Sequence, residues 1–140
     1  MRQQLRINNK QLAGTVKGAG VIEPVDYAIF QDHGYRGLYN GLTSKALHQR
    51  KALKRGQEIF DHMGSTELAA NLFRATQTEE KIKKDNVKDK HRANQTHFEI
   101  GKKVRKTIEE IGGTMPENLP GVESIKIIEK KQRKISLINK

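Results

Sequence analysis

The sequence predicts an all-α protein, a compact helical domain of five to seven helices with short Gly-rich turns, and three observations predict it. Apolar residues recur at helical spacing in several separate segments. Glycine pairs and prolines stand where those stripes stop, at Gly18, Gly20, Gly112, Gly113 and Pro116. Residues suited to helix starts, Pro24, Thr43 and Ser65, precede three of them. At 140 residues the chain is long enough for one modest core. We place the helical domain at residues 1–120 and a basic C-terminal extension at 121–140.

The first helix is expected over Arg2 to Lys17, with Leu5, Leu12, Val16 and Ala19 on one face. That face is thin, so it is expected to need a partner: a preceding domain or a second chain. "PVDYAIFQDH" reads as a short helix that Gly34 stops. In "GYRGLYNGL" the three glycines allow close approach or positive φ, and Tyr35 and Tyr39 are expected to pack a tight turn rather than stack on bases.

Thr43 is expected to cap the next helix, which puts Leu42, Ala46, Gln49 and Leu53 on one face and Arg50, Lys51 and Lys54 towards another. "QEIFDHM" gives a short apolar turn. Ser65 reads as the N-cap of the central helix, with Glu67 in its first turn, where the dipole favours an acid. Leu68, Leu72, Ala75 and Ile82 line that helix, flanked by Ala69, Phe73 and Thr76. Glu79 and Glu80 fall on the same arc as Leu72 and Phe73, so the helix is expected to have left the core by then. Ala93, His97, Ile100, Gly101, Val104, Ile108 and Ile111 form the stripe of a second long helix, which we expect to pack on the first at the centre. "MPENLPG" is a loop, and "VESIKIIEKKQRK" reads as a final helix. Ile135, Leu137 and Ile138 beyond it point to docking.

Charge is the strongest global feature, with 27 basic against 16 acidic residues and a net charge of +11. A field of that sign favours polyanions, nucleic acid first and an acidic protein face second. The field belongs to the middle and end of the chain. Lys45, Arg50, Lys51, Lys54 and Arg55 lie between Gly41 and Gly56 with no acid among them. Lys102, Lys103 and Lys106 project away from the apolar stripe of the second long helix. These eight are the candidate contacts to nucleic acid or a nucleoprotein filament.

Catalysis finds little support. The absence of cysteine excludes disulfides, thiolate metal sites and a thiol nucleophile. Asp32-His33 and Asp61-His62 are adjacent pairs whose side chains diverge by about 100° on a helix, so neither makes a dyad. His97 lies on an apolar stripe and reads as a satisfied core histidine. Ser44 and Ser65 are explained by helix capping. "GYRGLYNG" lacks the Gly-Lys-Ser/Thr element of a phosphate loop. The expectation is a non-enzyme with no cofactor, no metal and no small-molecule substrate. No apolar run approaches a membrane span, and "MRQQLRINNK" lacks a signal-peptide core, so a soluble cytoplasmic protein is the default.

"DYAIFQDHGYRGLYNGL", "KALHQRKALK", "DHMGSTELAANLFRATQTEEKIKKD" and "IGGTMPENLP" together resemble the C-terminal half of the DNA-damage-inducible protein D (DinD) family. The order and spacing agree from about Gln11 to Pro120. Such proteins usually also carry an N-terminal Bro-N-type domain, which has no counterpart in these 140 residues. The face of Leu5, Leu12 and Val16 is where its loss is expected to show.

The resemblance implies a non-enzymatic role in the bacterial SOS response, under LexA control. It also implies a link to RecA, whose filament on single-stranded DNA family members disturb. It supplies no catalytic residue. Two other readings stand beside it: an interaction or homodimerisation module working through exposed apolar helix faces, and an antirepressor-like regulator of duplex DNA.

Overall fold

The computed structural model describes residues 1–122 and 133–134. Among the described residues the named α-helices are, in order, α1 (Arg2–Lys17), α2 (Pro24–Leu38), α3 (Ser44–Arg50), α4 (Ser65–Lys84) and α5 (Lys90–Glu110). Single 3₁₀ turns, Ile59–His62 and Pro116–Asn118, precede α4 and follow α5. The described residues form no strand beyond an isolated antiparallel bridge between Met63 and Gly121. The expected all-α class is therefore what is found.

α1 lies along α4, α4 lies against α5, and α5 lies along α2. Each of the two long helices is thus covered on two sides, which is the central packing expected of them. The thin stripe of α1 does have a partner, and it lies within the chain. Leu5, Leu12 and Val16 are 2, 0 and 0% exposed, packed with Leu68, Ala75 and Ile82 of α4. Each such side chain contributes about 1.5–3 kcal/mol by leaving water. The expectation of an open α1 face awaiting a preceding domain or second chain is overturned. Arg2 ties the start of α1 down, donating to the carbonyls of Phe60 (3.3 Å) and Met63 (2.7 Å).

α2 does not stop at Gly34. It continues through Gly37 to Leu38 and ends where Asn40 and Gly41 take φ of 55° and 94°. Gly41 N–H then closes the helix on the Arg36 carbonyl at 2.7 Å, a turn that positive φ makes possible. Gly34 and Gly37 work as contact points rather than as breakers. A Cβ on Gly34 would enter the His97 ring, and one on Gly37 would enter the Phe98 carbonyl. On α5, a Cβ on Gly101 would stand 2.7 Å from the Gly34 carbonyl oxygen. The two backbones touch through these three glycines.

Caps also differ from expectation. Thr43 does cap α3, its hydroxyl accepting from Ala46 N–H at 3.2 Å. Gly64, in extended conformation, is the N-cap of α4, and Ser65 is its first helical residue. Neither Ser44 nor Ser65 caps. Asp89 caps α5, accepting from Arg92 N–H at 3.1 Å. α3 is only seven residues long and ends at Arg50, so the expected wheel through Leu53 and Lys54 does not form.

α4 stays in the core beyond Glu79, since Thr78 and Ile82 are buried and Val87 after it is buried too. Glu79 is half-buried between Lys83 (2.9 Å) and the hydroxyl of Thr15 on α1 (3.2 Å), whereas Glu80 is exposed. The core therefore does not end before the pair. Phe73 and Ile111, both assigned to buried stripes, are 51 and 78% exposed. The expected final helix and the docking of Ile135, Leu137 and Ile138 lie outside the described residues, apart from Val122, Arg133 and Lys134.

Candidate functional site

The eight candidate cations fall into two groups on either side of the Pro116–Asn118 turn. In the first group Lys45, Lys54 and Arg55 are exposed. Arg50 is exposed but engaged. Its Nε donates to the Glu117 carbonyl and its Nη2 to Asn118 Oδ1, both at 2.9 Å. Lys51 does not face solvent with the others. Its side chain is 11% exposed, and its ammonium lies 2.8 Å from the wholly buried carboxylate of Glu67.

That ion pair begins a polar chain through the core that sequence reasoning missed. Glu67 Oε2 accepts from the Tyr39 hydroxyl, which in turn accepts from Asn71 Nδ2 at 2.9 Å. Asn71 Oδ1 accepts from Arg74 Nη2 at 3.2 Å, and Arg74 Nη1 meets His97 Nε2. His97 Nδ1–H donates to the Phe30 carbonyl at 2.8 Å, so Nε2 is the bare, accepting nitrogen. Burial, joined by the Arg74 charge, holds the His97 pKa well below its ordinary value, and the ring is neutral.

Arg74 is fully enclosed, and its guanidinium lies 5.0 Å from the centre of the Tyr35 ring. Burial pushes the hydroxyl pKa of Tyr35 up, and that of Tyr39 well up, so both phenols stay protonated. Glu67, Asn71, Arg74 and Thr78 recur at spacings of three and four, which puts a polar stripe down a helix that also carries an apolar one. That periodicity was the available signal. The charge of Arg74 concealed it, because a lone arginine on a surface-charged helix reads as solvated.

The second group stands in a groove of about 920 Å³ where α2 crosses α5. Lys102, Lys103 and Lys106 of α5 are exposed along it, and none pairs with a carboxylate among the described residues. Arg36 of α2, which the sequence did not single out, faces them across the groove. Phe98 forms part of the floor, with the Lys102 ammonium 5.5 Å from its ring centre. Arg105 closes one end. It grips Glu117 with two bonds of 2.6 and 2.9 Å and also donates to the Leu38 carbonyl at 3.2 Å. Partial burial opposes charge on Glu117, but the bidentate arginine outweighs it and holds the carboxyl below its usual range.

Among the described residues no group of three or more His, Asp or Glu side chains is placed to hold a metal. Asp32 accepts from Ser44 N–H at 3.0 Å and Asp61 pairs with Arg6 at 2.8 Å, so neither serves its neighbouring histidine. No described helix is long and apolar enough to cross a membrane.

The fold and groove define a class: a small all-helical module that presents clustered cations on a rigid helix crossing. The chain belongs to the DinD C-terminal domain family, which it matches over residues 1–128. It is 60% identical to DNA damage-inducible protein D of Escherichia coli (strain K12), over 94% of this chain and 51% of that protein. The chain thus spans about half the length of that relative. No solved structure matches it.

Proposed function

We propose that this chain is a DNA-damage-response module that binds single-stranded DNA, or a RecA filament assembled on it, through the α2–α5 groove. The observation that carries the reading is the convergence of Arg36, Lys102, Lys103 and Lys106 on one groove without carboxylate partners among the described residues. Clustered cations bind phosphates by releasing counterions, and here they outnumber the two carboxylates, Glu99 and Glu109, that line the same groove. An aromatic floor such as Phe98 offers a face to an unpaired base. The name of the 60% identical relative supports the damage-response setting. The Lys45–Arg55 region supplies long-range attraction, while Lys51 holds Glu67.

The test is fluorescence anisotropy with labelled single strand, duplex and preformed RecA filaments across a salt series. Single strand or filament should bind, with affinity falling steeply as salt rises. Lys102→Glu, Lys103→Glu and Lys106→Glu together should flatten the log–log salt slope by about 2 if each meets one phosphate. An unchanged slope would sink the groove assignment. Preference for duplex would favour the antirepressor-like reading.

One observation favours a second reading, a protein-interaction module. Phe73 and Ile111 are exposed beside Ala69, Ala70 and Ile108 in a shallow apolar groove between α4 and α5. Homodimerisation through it would be insensitive to salt and dependent on concentration, which sedimentation measures directly.

A further inference from the structure

The apolar groove between α4 and α5, of about 290 Å³, has a candidate occupant in the chain itself. Ala69, Phe73, Ile108, Ile111 and Leu119 give it an apolar surface. Thr66, Thr107 and Thr114 are its polar side chains, and no charged side chain lines it. With Phe73 and Ile111 left in water, each Å² of this face that becomes covered stabilises the cover by about 25 cal/mol.

The continuous described fold ends at Val122, at one edge of this groove. Leu119, three residues earlier, lines it. Val122 sits beside Gly64, the N-cap of α4, where an added Cβ would stand 4.0 Å from Val122 Cγ1. Thr66, Ala69 and Phe73 run along α4 away from that point. Beyond Val122 the sequence carries Ile125, Ile128, Gln132 and Ile135 at intervals of three, four and three, one face of a helix. Arg133 and Lys134 are helical and exposed, and at about 100° per residue they fall on the other side of that helix. A helix over residues 123–138 would span about 24 Å, the same length as α4 from Gly64 to Glu80.

Charge agrees at two points. Residues 123–140 hold six basic and two acidic side chains. Glu80, two turns beyond Phe73, and Glu110, beside Ile111, are exposed and pair with no cation among the described residues. Lys84 lies a turn beyond Glu80 and Lys103 a turn before Thr107, so apolar burial is the main attraction and charge the lesser one.

We propose that residues 123–138 dock as a helix along the α4–α5 groove of their own chain, with Ile125, Ile128 and Ile135 turned onto it. The tether favours this occupant over a second copy. A segment attached at the groove's edge is present at an effective concentration on the order of millimolar, which a separate chain does not reach in dilute solution. The docked segment closes the face that self-association would use. Strand binding in the α2–α5 groove does not depend on it.

The chain has no cysteine, so a single Ile111→Cys variant reports the cover through its alkylation rate. Adding Ile125→Asp and Ile128→Asp should speed alkylation about tenfold, for a segment docked nine-tenths of the time. Ile125→Leu with Ile128→Leu, which keeps the apolar stripe, should leave the rate as it was. Ile29→Cys, at an exposed position on α2, should react equally with and without the aspartates. In the isotope-labelled chain, nuclear Overhauser contacts should join the Ile125 and Ile128 methyls to Phe73 and Ile111. They should be missing from the inter-chain spectrum of a labelled and unlabelled mixture.

Equal alkylation of Ile111→Cys with and without the aspartates overturns the proposal. So does a rise shared by Ile29→Cys, which reports unfolding. Contacts found only between chains give the groove to a second copy and overturn it too. The absence of any contact from the segment to Phe73 or Ile111 does the same.

Discussion

The α1–α4 seam and the α2–α5 seam join helices by opposite means. The first is a stripe of Leu5, Leu12 and Val16 against Leu68, Ala75 and Ile82, held by removal of apolar area from water. The second brings two backbones together through Gly34, Gly37 and Gly101, and seats His97 and Arg74 beside the contact. An apolar seam tolerates change by repacking. A seam of glycines and buried polar groups has almost no slack, because backbone cannot be trimmed and an orphaned charge cannot reach water.

The comparison is most easily broken at the polar chain. Glu67→Ala leaves the Lys51 ammonium without its carboxylate and Tyr39 without its acceptor. It should lower unfolding free energy by about 4 kcal/mol, read by urea denaturation. Lys51→Glu should be as severe, since it sets two carboxylates together. From the sequence alone, reversal at that position would be expected to spare the fold. If Lys51→Glu unfolds at the wild-type midpoint, the ion pair does not hold the polar chain that leads to Arg74 and His97.

The apolar seam comes next: Leu12→Ala, at a fully buried position, should cost about 3 kcal/mol, with Leu12→Met nearly neutral. A large loss with Leu12→Met would mean that this seam is as intolerant as the other.

The glycines sharpen the contrast. Gly37→Ala should cost about 2–3 kcal/mol, because the new methyl meets the Phe98 carbonyl and the Lys102 amide, which are backbone. The three atoms nearest a Cβ on Gly34 all belong to the His97 ring, so His97→Ala should relieve part of the cost of Gly34→Ala while leaving Gly37→Ala unrelieved. A double-mutant cycle by thermal melting measures the difference. Equal relief of both would refute the distinction.

The smallest effect is on pH. His97 titrates near 6.5 when unfolded and well below that when folded. As pH falls through the first unit below 6.5, the unfolded chain takes up a proton that the folded chain refuses. Stability is therefore complete above that value and lost below it, by about 1.4 kcal/mol per pH unit. His97→Gln should flatten this limb. If the limb is unchanged, another group is responsible.

The two seams also differ in how legible they were. Leu5, Leu12, Val16 and Ala75 were readable because burial of apolar area imposes a period, and the period is visible in one dimension. The extent of α2 was not, since a glycine inside a helix looks like one that ends it until the facing surface is known. Nor was Arg74, because its charge masked the spacing of three and four that it shares with Glu67, Asn71 and Thr78. The same blindness touched the candidate site. Lys102, Lys103 and Lys106 were found from charge and helical phase, but Arg36 lies 66 residues away and joins them only through the glycine contact. Lys51 was grouped with its neighbours because charge carries no mark of direction.

That glycine contact also sets a register. With a ring seated at Gly34 and carbonyls at Gly37 and Gly101, sliding α2 by one helical turn along α5 would bring side chains where only hydrogen atoms fit. The spacing between Arg36 and the α5 lysines is thus fixed by backbone contact and not by flexible side chains. A ligand meeting that groove has no hinge to close and little helix motion to quench, so the ordering penalty of binding falls on the ligand and the lysine tips alone.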